Sequence, residues 1–260
     1  MASSEAQYDS IALQYAENHD TWGTRCIERY TVHNCMLKPL LNEHGLLTGK
    51  RVLDLACGHG NYTRELKALK CDYILGVDIS PEMIKLARTI EHQNPQDIDY
   101  MVADVKDLPK SKQPFDLVTG FYLLPYARTR DELLEMVRVI FNQLGENKQF
   151  IGLIAIPMPR KEEIDHRKYG FTKYTTVTFS DGCIPDATEY SVTLYNTENE
   201  ETCAFTAYYY STLTYEQVFK EAGFKTLQWV PIEFDPYAPN RAFYDDYLKY
   251  PPEVGLVAAK

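Results

Sequence analysis

Five residues, Arg51-Val52-Leu53-Asp54-Leu55, run straight into Ala56-Cys57-Gly58-His59-Gly60, and a helical pattern follows over Asn61–Leu69. A short apolar strand that becomes a helix within so few residues leaves few folds open. The turn needs backbone that can approach a ligand or adopt angles closed to most side chains, and Gly58 and Gly60 allow both. The same unit then recurs. Tyr73–Val77 (YILGV) reads as a second strand. Ser80 suits the N-cap of the next helix, Pro81 its first turn, and Met83, Ile84, Ala87 and Ile90 form its apolar stripe. Asp99–Ala103, Phe115–Gly120 and Phe150–Ile156 read as three further strands. Before the last of them, Thr129 and Glu132 have capping-box spacing, and Leu133, Val137, Ile140 or Phe141, and Leu144 follow at helical period. Strands alternating with helices in this way imply βαβ units, right-handed crossovers and a mostly parallel sheet. Such sheets bind ligands outside the carboxyl ends of their strands.

The flanks read differently. Residues 1–49 are helical and partly polar, with Tyr8, Ile11 and Tyr15 on one face. A longer helix is expected over residues 27–42, packed by Ile27, Val32, Met36 and Leu40 or Leu41. Pro157–Thr212 breaks the rhythm and is rich in Tyr and Thr. Regular order returns at Thr214, where Thr214 and Gln217 again have capping-box spacing; Val218, Phe219 and Ala222 point inward and Gly223 is a natural stop. Phe224–Val230 and Val254–Ala258 read as closing strands, with a Pro- and Tyr-rich loop, Pro231–Pro252, between them. The expected fold class is α/β: a Rossmann-like, seven-stranded, mostly parallel sheet with helices on both faces, plus an aromatic-rich cap insertion after strand 5.

The net charge of -10 argues against a nucleic-acid partner, which wants a basic surface, and against an anionic membrane. A small neutral or cationic substrate fits better. No stretch approaches the ~20 apolar residues of a membrane span. Met1–Asp9 lacks the basic and apolar regions of a secretory signal. The cysteines at 26, 35, 57, 71, 183 and 203 form no C-x-x-C pair, so free thiols in a cytoplasmic protein are expected, and no metal site. Oligomeric state is open between monomer and homodimer.

Gly58 and Gly60 supply only G-x-G; Thr63 stands where a dinucleotide fingerprint has its third glycine. Alone, this is also an ordinary tight turn. Gly76-Val77-Asp78-Ile79-Ser80 adds an acid at the end of the second strand, 18 positions after Gly60. A carboxylate there can accept both hydroxyls of a ribose, or merely cap the following helix. Ala103-Asp104-Val105 ends the third strand, where an acid can accept from an adenine amino group. Gly120-Phe121-Tyr122-Leu123 ends the fourth. No G-x-S-x-G elbow or H-E-x-x-H motif competes with these.

V-L-D-L-A-C-G-H-G, G-V-D-I-S-P-E-M, A-D-V and F-D-L-V resemble the successive motifs of class I S-adenosylmethionine (SAM)-dependent methyltransferases over roughly residues 45–157. The T-L-T-Y-E-Q-V-F-K-E-A-G-F run resembles the late part of small-molecule, natural-product members. More narrowly, Y-D-S-I-A near the start, L-D-L-A-C-G, F-x-K-Y at Phe171–Tyr174 and the ending G-L-V are similar to the bacterial N-methyltransferases of toxoflavin biosynthesis. The resemblance implies SAM as cofactor and S-adenosylhomocysteine as product. It implies that Asp54 and the loop Ala56, Cys57, Gly58 and Gly60 hold the methionine end. Asp78 would take the ribose, with Ile79 and Met83 packing on the adenine or its edge, and Asp104 and Val105 would read the adenine. Phe121 would lie near the sulfonium, and Tyr126 would close over it. Tyr8 and Tyr15 would cover the cofactor and Arg29 would pair with its carboxylate, though surface or core packing is the stronger reading for each of these three. A single domain, 1–260, then divides into a helical lid (1–49), a SAM-binding core (50–156), a substrate cap (157–212) and a closing helix with strands (213–260).

SAM carries the chemistry, and the protein needs mainly to align nucleophile and methyl group. A hydroxyl acceptor usually wants a base, and His166 is one candidate; the other reading is that 166–168 is a solvated segment. Tyr122, Tyr174, Tyr208 and Tyr210 are candidates to contact substrate, since small-molecule pockets are mostly apolar and aromatic, and Tyr208 and Tyr210 share one face of a strand by period. Tyrosines are also good strand formers, so a purely structural role competes. The leading expectation is methyl transfer to N or O of a small natural product. A SAM-binding enzyme that catalyses a non-methylating step, such as cyclisation, is the alternative. The intact Asp54, Gly58, Gly60 and Asp78 set argues against a non-catalytic partner subunit.

Overall fold

The computed structural model describes residues 7–21, 24–156, 166–175 and 184–260. The βαβ rhythm of the sequence appears as β1 (Arg51–Leu55), β2 (Tyr73–Asp78), β3 (Asp99–Val102), β4 (Phe115–Phe121) and β5 (Leu144–Ala155). The insertion contributes β6 (Phe171–Tyr174), β7 (Thr188–Tyr195) and β8 (Glu201–Tyr209), and the chain closes with β9 (Thr226–Val230) and β10 (Glu253–Ala259). Among the described residues the main sheet has seven strands in the order β3-β2-β1-β4-β5-β10-β9. β1 to β5 pair in parallel, whereas β10 runs antiparallel to both β5 and β9. The order reverses beside β1, so the first loop and the end of β4 flank the switch point where such sheets bind ligands.

Alternation along the strands divides the apolar residues between two cores. Val52, Ile74, Leu117 and Ile151 face one side with Ile27, Leu66 and Ile84; Leu53, Val77, Val118 and Phe150 face the other with Leu133, Val137, Val218 and Phe219. The helices on these faces are α1 (Ala12–Thr21), α2 (Arg25–Tyr30), α3 (Asn61–Ala68), α4 (Pro81–Gln93), α5 (Arg130–Gln143), α6 (Thr212–Ala222) and the short α7 (Asp245–Lys249).

Two expected caps form. Ser80 Oγ accepts from the Met83 amide at 3.2 Å, and Thr129 Oγ1 from the Glu132 amide at 3.2 Å. The α6 cap is a correction: Ser211, not Thr214, caps it, with Oγ accepting from the Thr214 amide at 3.3 Å. Thr214 is already inside the helix, and its hydroxyl donates to Asp186. Gly223 ends α6 in the left-handed region at φ +109° as expected. The long helix expected over 27–42 is broken into α2, a π turn over Thr31–Leu37 and a 3-10 turn over Lys38–Leu40. Pro39, which has no N–H to donate, sits in the last of these. The loop expected over 231–252 contains a 3-10 turn, Arg241–Tyr244, and α7.

The described part of the insertion is an antiparallel sheet, β6-β7-β8; residues 157–165 and 176–183, and with them Cys183, lie outside the described residues. Tyr190, Val192 and Leu194 point from β7 into the larger core. Residues just before α1 reach β8: Gln7 Nε2 donates to Thr206 O at 3.2 Å, and Thr206 N donates back to Gln7 Oε1 at 2.8 Å.

Candidate active site

The loop after β1 is shaped by its backbone. Ala56, Gly58 and Gly60 have φ of +54°, +55° and +83°. A Cβ on Gly60 would run into the ring of Tyr100, so this glycine serves packing as well as the turn. A Cβ on Gly58 would meet no atom within 4 Å. The loop therefore curls around open space, and that space is lined by Asp54, Cys57, Gly58, Asn61, Phe121 and Tyr122, among others.

Asp54 is 1% exposed and accepts from Thr63 Oγ1 at 2.6 Å and Thr119 Oγ1 at 2.7 Å. Thr63, at the place of the absent third glycine, thus anchors the acid of the loop. Burial pushes the Asp54 carboxyl up to about 6, against those two hydroxyls. Asp78 Oδ2 accepts from the Gly58 amide at 2.8 Å and Oδ1 from the Ser80 amide at 2.9 Å. Both readings of Asp78 therefore meet in one residue: it braces loop and helix, and it lines the adjoining cleft. Burial raises its pKa, while the Ser80 and Gly58 amides oppose the rise. Its oxygens keep further lone pairs for a ligand's hydroxyls.

That cleft also takes in Ala56, Ile79, Asp104, Val105 and Tyr126. Asp104 Oδ1 is held by the Lys106 amide at 2.9 Å. Tyr8 packs against Tyr126, hydroxyl to hydroxyl, and edge-on to Tyr15 with ring centroids 5.0 Å apart.

A third space opens between the main sheet and the cap sheet. Its walls are aromatic, with Tyr8, Tyr126, Phe171, Tyr190 and Phe205 prominent, yet it contains Glu28, Lys173 and Glu253. Glu28 and Glu253 are each 2% exposed and Lys173 is 7% exposed. Glu253 accepts from Tyr122 Oη at 2.6 Å and Tyr247 Oη at 2.5 Å, and Lys173 Nζ lies 3.8 Å from it. Glu28 accepts from Tyr62 Oη at 3.0 Å. Burial lowers the Lys173 pKa, against the pull of Glu253 and Glu28. Tyr15 and Tyr122 wall both this chamber and the pocket of the glycine loop, so the two are neighbours. Tyr122 itself sits at φ +61°, a costly angle for a side chain of that size. Its N–H to Leu153 O at 2.9 Å and its hydroxyl to Glu253 hold it there.

The structure thus brings Tyr8, Tyr15, Asp54, Ala56, Cys57, Gly58, Asp78, Ile79, Asp104, Val105, Phe121, Tyr122 and Tyr126 onto one connected set of pockets. Gly60 lies behind them, against Tyr100. Met83 is buried beneath α4 at 1% exposure, outside these linings. Arg29 is half exposed and pairs with Glu65 at 3.3 Å. His166 is buried, stacked on Phe171 with centroids 5.3 Å apart and near Tyr169 and Tyr247, away from the chamber lining. The solvated reading holds only for its neighbours, Arg167 and Lys168. Tyr174 ends β6 outside the chamber, and Tyr208 lies at the rim of the Asp78 cleft. Tyr210 does not share a strand face with Tyr208: β8 ends at Tyr209, and the Tyr210 hydroxyl donates to Ala127 O at 3.0 Å. Glu28, Lys173 and Glu253 escaped the sequence reading. A lysine inside the apolar strand F-T-K-Y and a glutamate opening E-V-G-L-V-A-A were the available signals.

Residues 52–146 match the profile of the family described as "Methyltransferase domain". Over that stretch the chain is similar to methyltransferase domains. Solved structures of this fold are named for dependence on S-adenosylmethionine. The open cradle at Gly58, with two acids on the adjoining cleft, fits that molecule. The chain is 27% identical over 146 residues to the demethylmenaquinone methyltransferase of Lactococcus lactis, covering 55% of this chain and 51% of that protein. It is 36% identical over 100 residues to the ubiquinone biosynthesis O-methyltransferase of Coxiella burnetii, covering 38% and 42%. The chain therefore matches about half or less of the length of these curated relatives. Over nearly its whole length the fold is that of a SAM-dependent methyltransferase of Clostridium acetobutylicum: TM-score 0.62, 18% identity, covering 97% of this chain and 98% of that one.

Proposed function

We propose that this chain transfers a methyl group from SAM to a nitrogen or oxygen of a small natural product held in the aromatic chamber. The observation that carries this reading is the shared wall: Tyr15 and Tyr122 border both the glycine-loop pocket and the chamber. SAM supplies an electrophilic methyl on a sulfonium. The residues of the loop from Ala56 to Gly58, with Asn61 and Phe121, would hold its methionine end. Asp78 would accept from its ribose, and Asp104, Val105 and Ile79 would border its adenine. Tyr8, Tyr15 and Tyr126 would exclude water above it and offer aromatic faces to a cation. The planar walls of the chamber suit a ring-bearing acceptor, in keeping with relatives named for demethylmenaquinone and ubiquinone biosynthesis.

Mass spectrometry of a metabolite panel incubated with the protein and SAM tests this. The expected result is one added methyl and release of S-adenosylhomocysteine. A product rearranged without gaining a methyl would favour the cyclisation-type alternative. Absence of SAM binding in a calorimetric titration would remove both.

A further inference from the structure

The chamber holds two carboxyls and one ammonium, all nine-tenths buried or more. Buried charge is costly unless it is paired or has work to do. Glu253 is fully occupied: two tyrosine hydroxyls donate to it and Lys173 faces it. Lys173 is likewise fixed, donating to Pro252 O at 3.2 Å and lying over the rings of Phe171 and Tyr122. Glu28 is different. Among the described residues it takes one hydrogen bond, from Tyr62, and Tyr62 lines the glycine-loop pocket. Glu28 thus borders the chamber while tied to the wall of the cofactor pocket.

Building on the methyl-transfer reading, we propose that Glu28 is the proton acceptor of the reaction and that the acceptor is a hydroxyl on an uncharged aromatic ring. A lone pair of the acceptor oxygen forms the new O–C bond, the C–S bond breaks with its electron pair left on sulfur, and the hydroxyl proton passes to the Glu28 carboxylate. Lys173 stabilises the negative charge that grows on the oxygen as its proton leaves. A neutral amine attacks with its own lone pair and sheds its proton afterwards, so it has no need of a second buried carboxyl. Glu28 is faced by Arg25 on its own helix, Tyr15 on α1, Tyr62 on α3, Tyr122 after β4 and Lys173 on β6. Tyr247 on α7 and Glu253 on β10 complete its surroundings. Burial first, then Glu253, push its carboxyl up to about 8, against Arg25, Tyr62 and Lys173. A base poised there exchanges protons near neutral pH.

The test uses the full chain with SAM and two matched sets of acceptors, phenols of one or two rings and the corresponding aryl amines. The wild type is expected to methylate phenols, with kcat rising to a plateau above an inflection near pH 8. Glu28→Gln should lower kcat by about 100-fold or more while SAM affinity by calorimetry stays within about twofold. Infrared difference spectra should show a buried carboxyl titrating near pH 8 that is missing from the variant. If Glu28→Gln does not fold, Glu28→Asp stands in, with a smaller drop in kcat at unchanged SAM affinity. Full kcat in either variant, or transfer to amines and not phenols, overturns the inference and leaves methyl transfer standing. No transfer to either set by SAM-bound wild type overturns the reading beneath it.

Discussion

Around the cleft below the glycine loop, most of the polar contacts on the acids join residues near one another in sequence: Asp78 with Ser80 and Gly58, Asp104 with Lys106, Asp54 with Thr63; Asp54 with Thr119 and Tyr8 with Tyr126 reach further, across 65 and 118 positions. Around the chamber they span the chain. Tyr122 meets Glu253 across 131 positions, Lys173 meets Pro252 across 79, and Glu28 meets Tyr62 across 34. The cleft is a property of one strand-turn-helix pattern and its immediate repeats. The chamber exists only once α2, the cap sheet and β10 have been folded against one another. A site of the first kind is robust to changes elsewhere; one of the second kind ties substrate recognition to the stability of the whole domain.

The largest test of that contrast is Glu253→Ala. It takes from Lys173 the carboxylate 3.8 Å away and frees two tyrosine hydroxyls, so unfolding in denaturant should show a loss of about 3–5 kcal/mol. If the loss is under 1 kcal/mol, the chamber is less integral to the fold than the contacts imply. Asp78→Ala comes next. It leaves the Gly58 and Ser80 amides without their acceptor, so a loss of about 1–3 kcal/mol should accompany SAM affinity weakened by tenfold or more. Unchanged SAM affinity would break the ribose assignment. Gly60→Ala forces a side chain to φ +83° and against Tyr100, with a loss of about 1–3 kcal/mol in thermal unfolding and no direct loss of a ligand contact. A further test is an effect of pH. Glu28 keeps its proton in the folded chain up to about 8, whereas the unfolded chain releases it in the ordinary carboxyl range. Its contribution to stability is therefore full below that range and is lost as pH rises through about 8; Glu28→Gln should flatten this part of the stability curve. Tyr208→Phe, at the rim, should shift stability by no more than about 0.5 kcal/mol.

The same contrast governs what could be read in advance. That Asp54, Gly58, Asp78 and Asp104 line neighbouring pockets was legible because a strand end and the loop after it lie at fixed distances along the chain. The caps at Ser80 and Thr129 were legible for the same reason. Capping-box spacing points to Thr214, but Ser211 caps α6, and the Thr214 hydroxyl goes instead to Asp186, 28 positions away. His166 stood out as a histidine at the start of the aromatic insertion, but tertiary packing put it against Phe171, Tyr169 and Tyr247. Tyrosine spacing singled out Tyr208 and Tyr210 on the assumption that the strand continued past Tyr209. Of the charged residues of the chamber, Lys173 and Glu253 carried only the faint signal of apolar strand neighbours, and nothing beside Glu28 in the sequence marks it as buried.

The amide of Gln7 behaves toward β8 as a peptide unit of a neighbouring strand would, filling both the donor and the acceptor that Thr206 turns outward. β8 is an edge of the cap sheet, and an edge with open N–H and C=O groups invites another chain to pair with it. A single side chain therefore interrupts that template at its midpoint. The protein can keep an extended strand over its chamber without offering a full-length seam along which copies would align and aggregate.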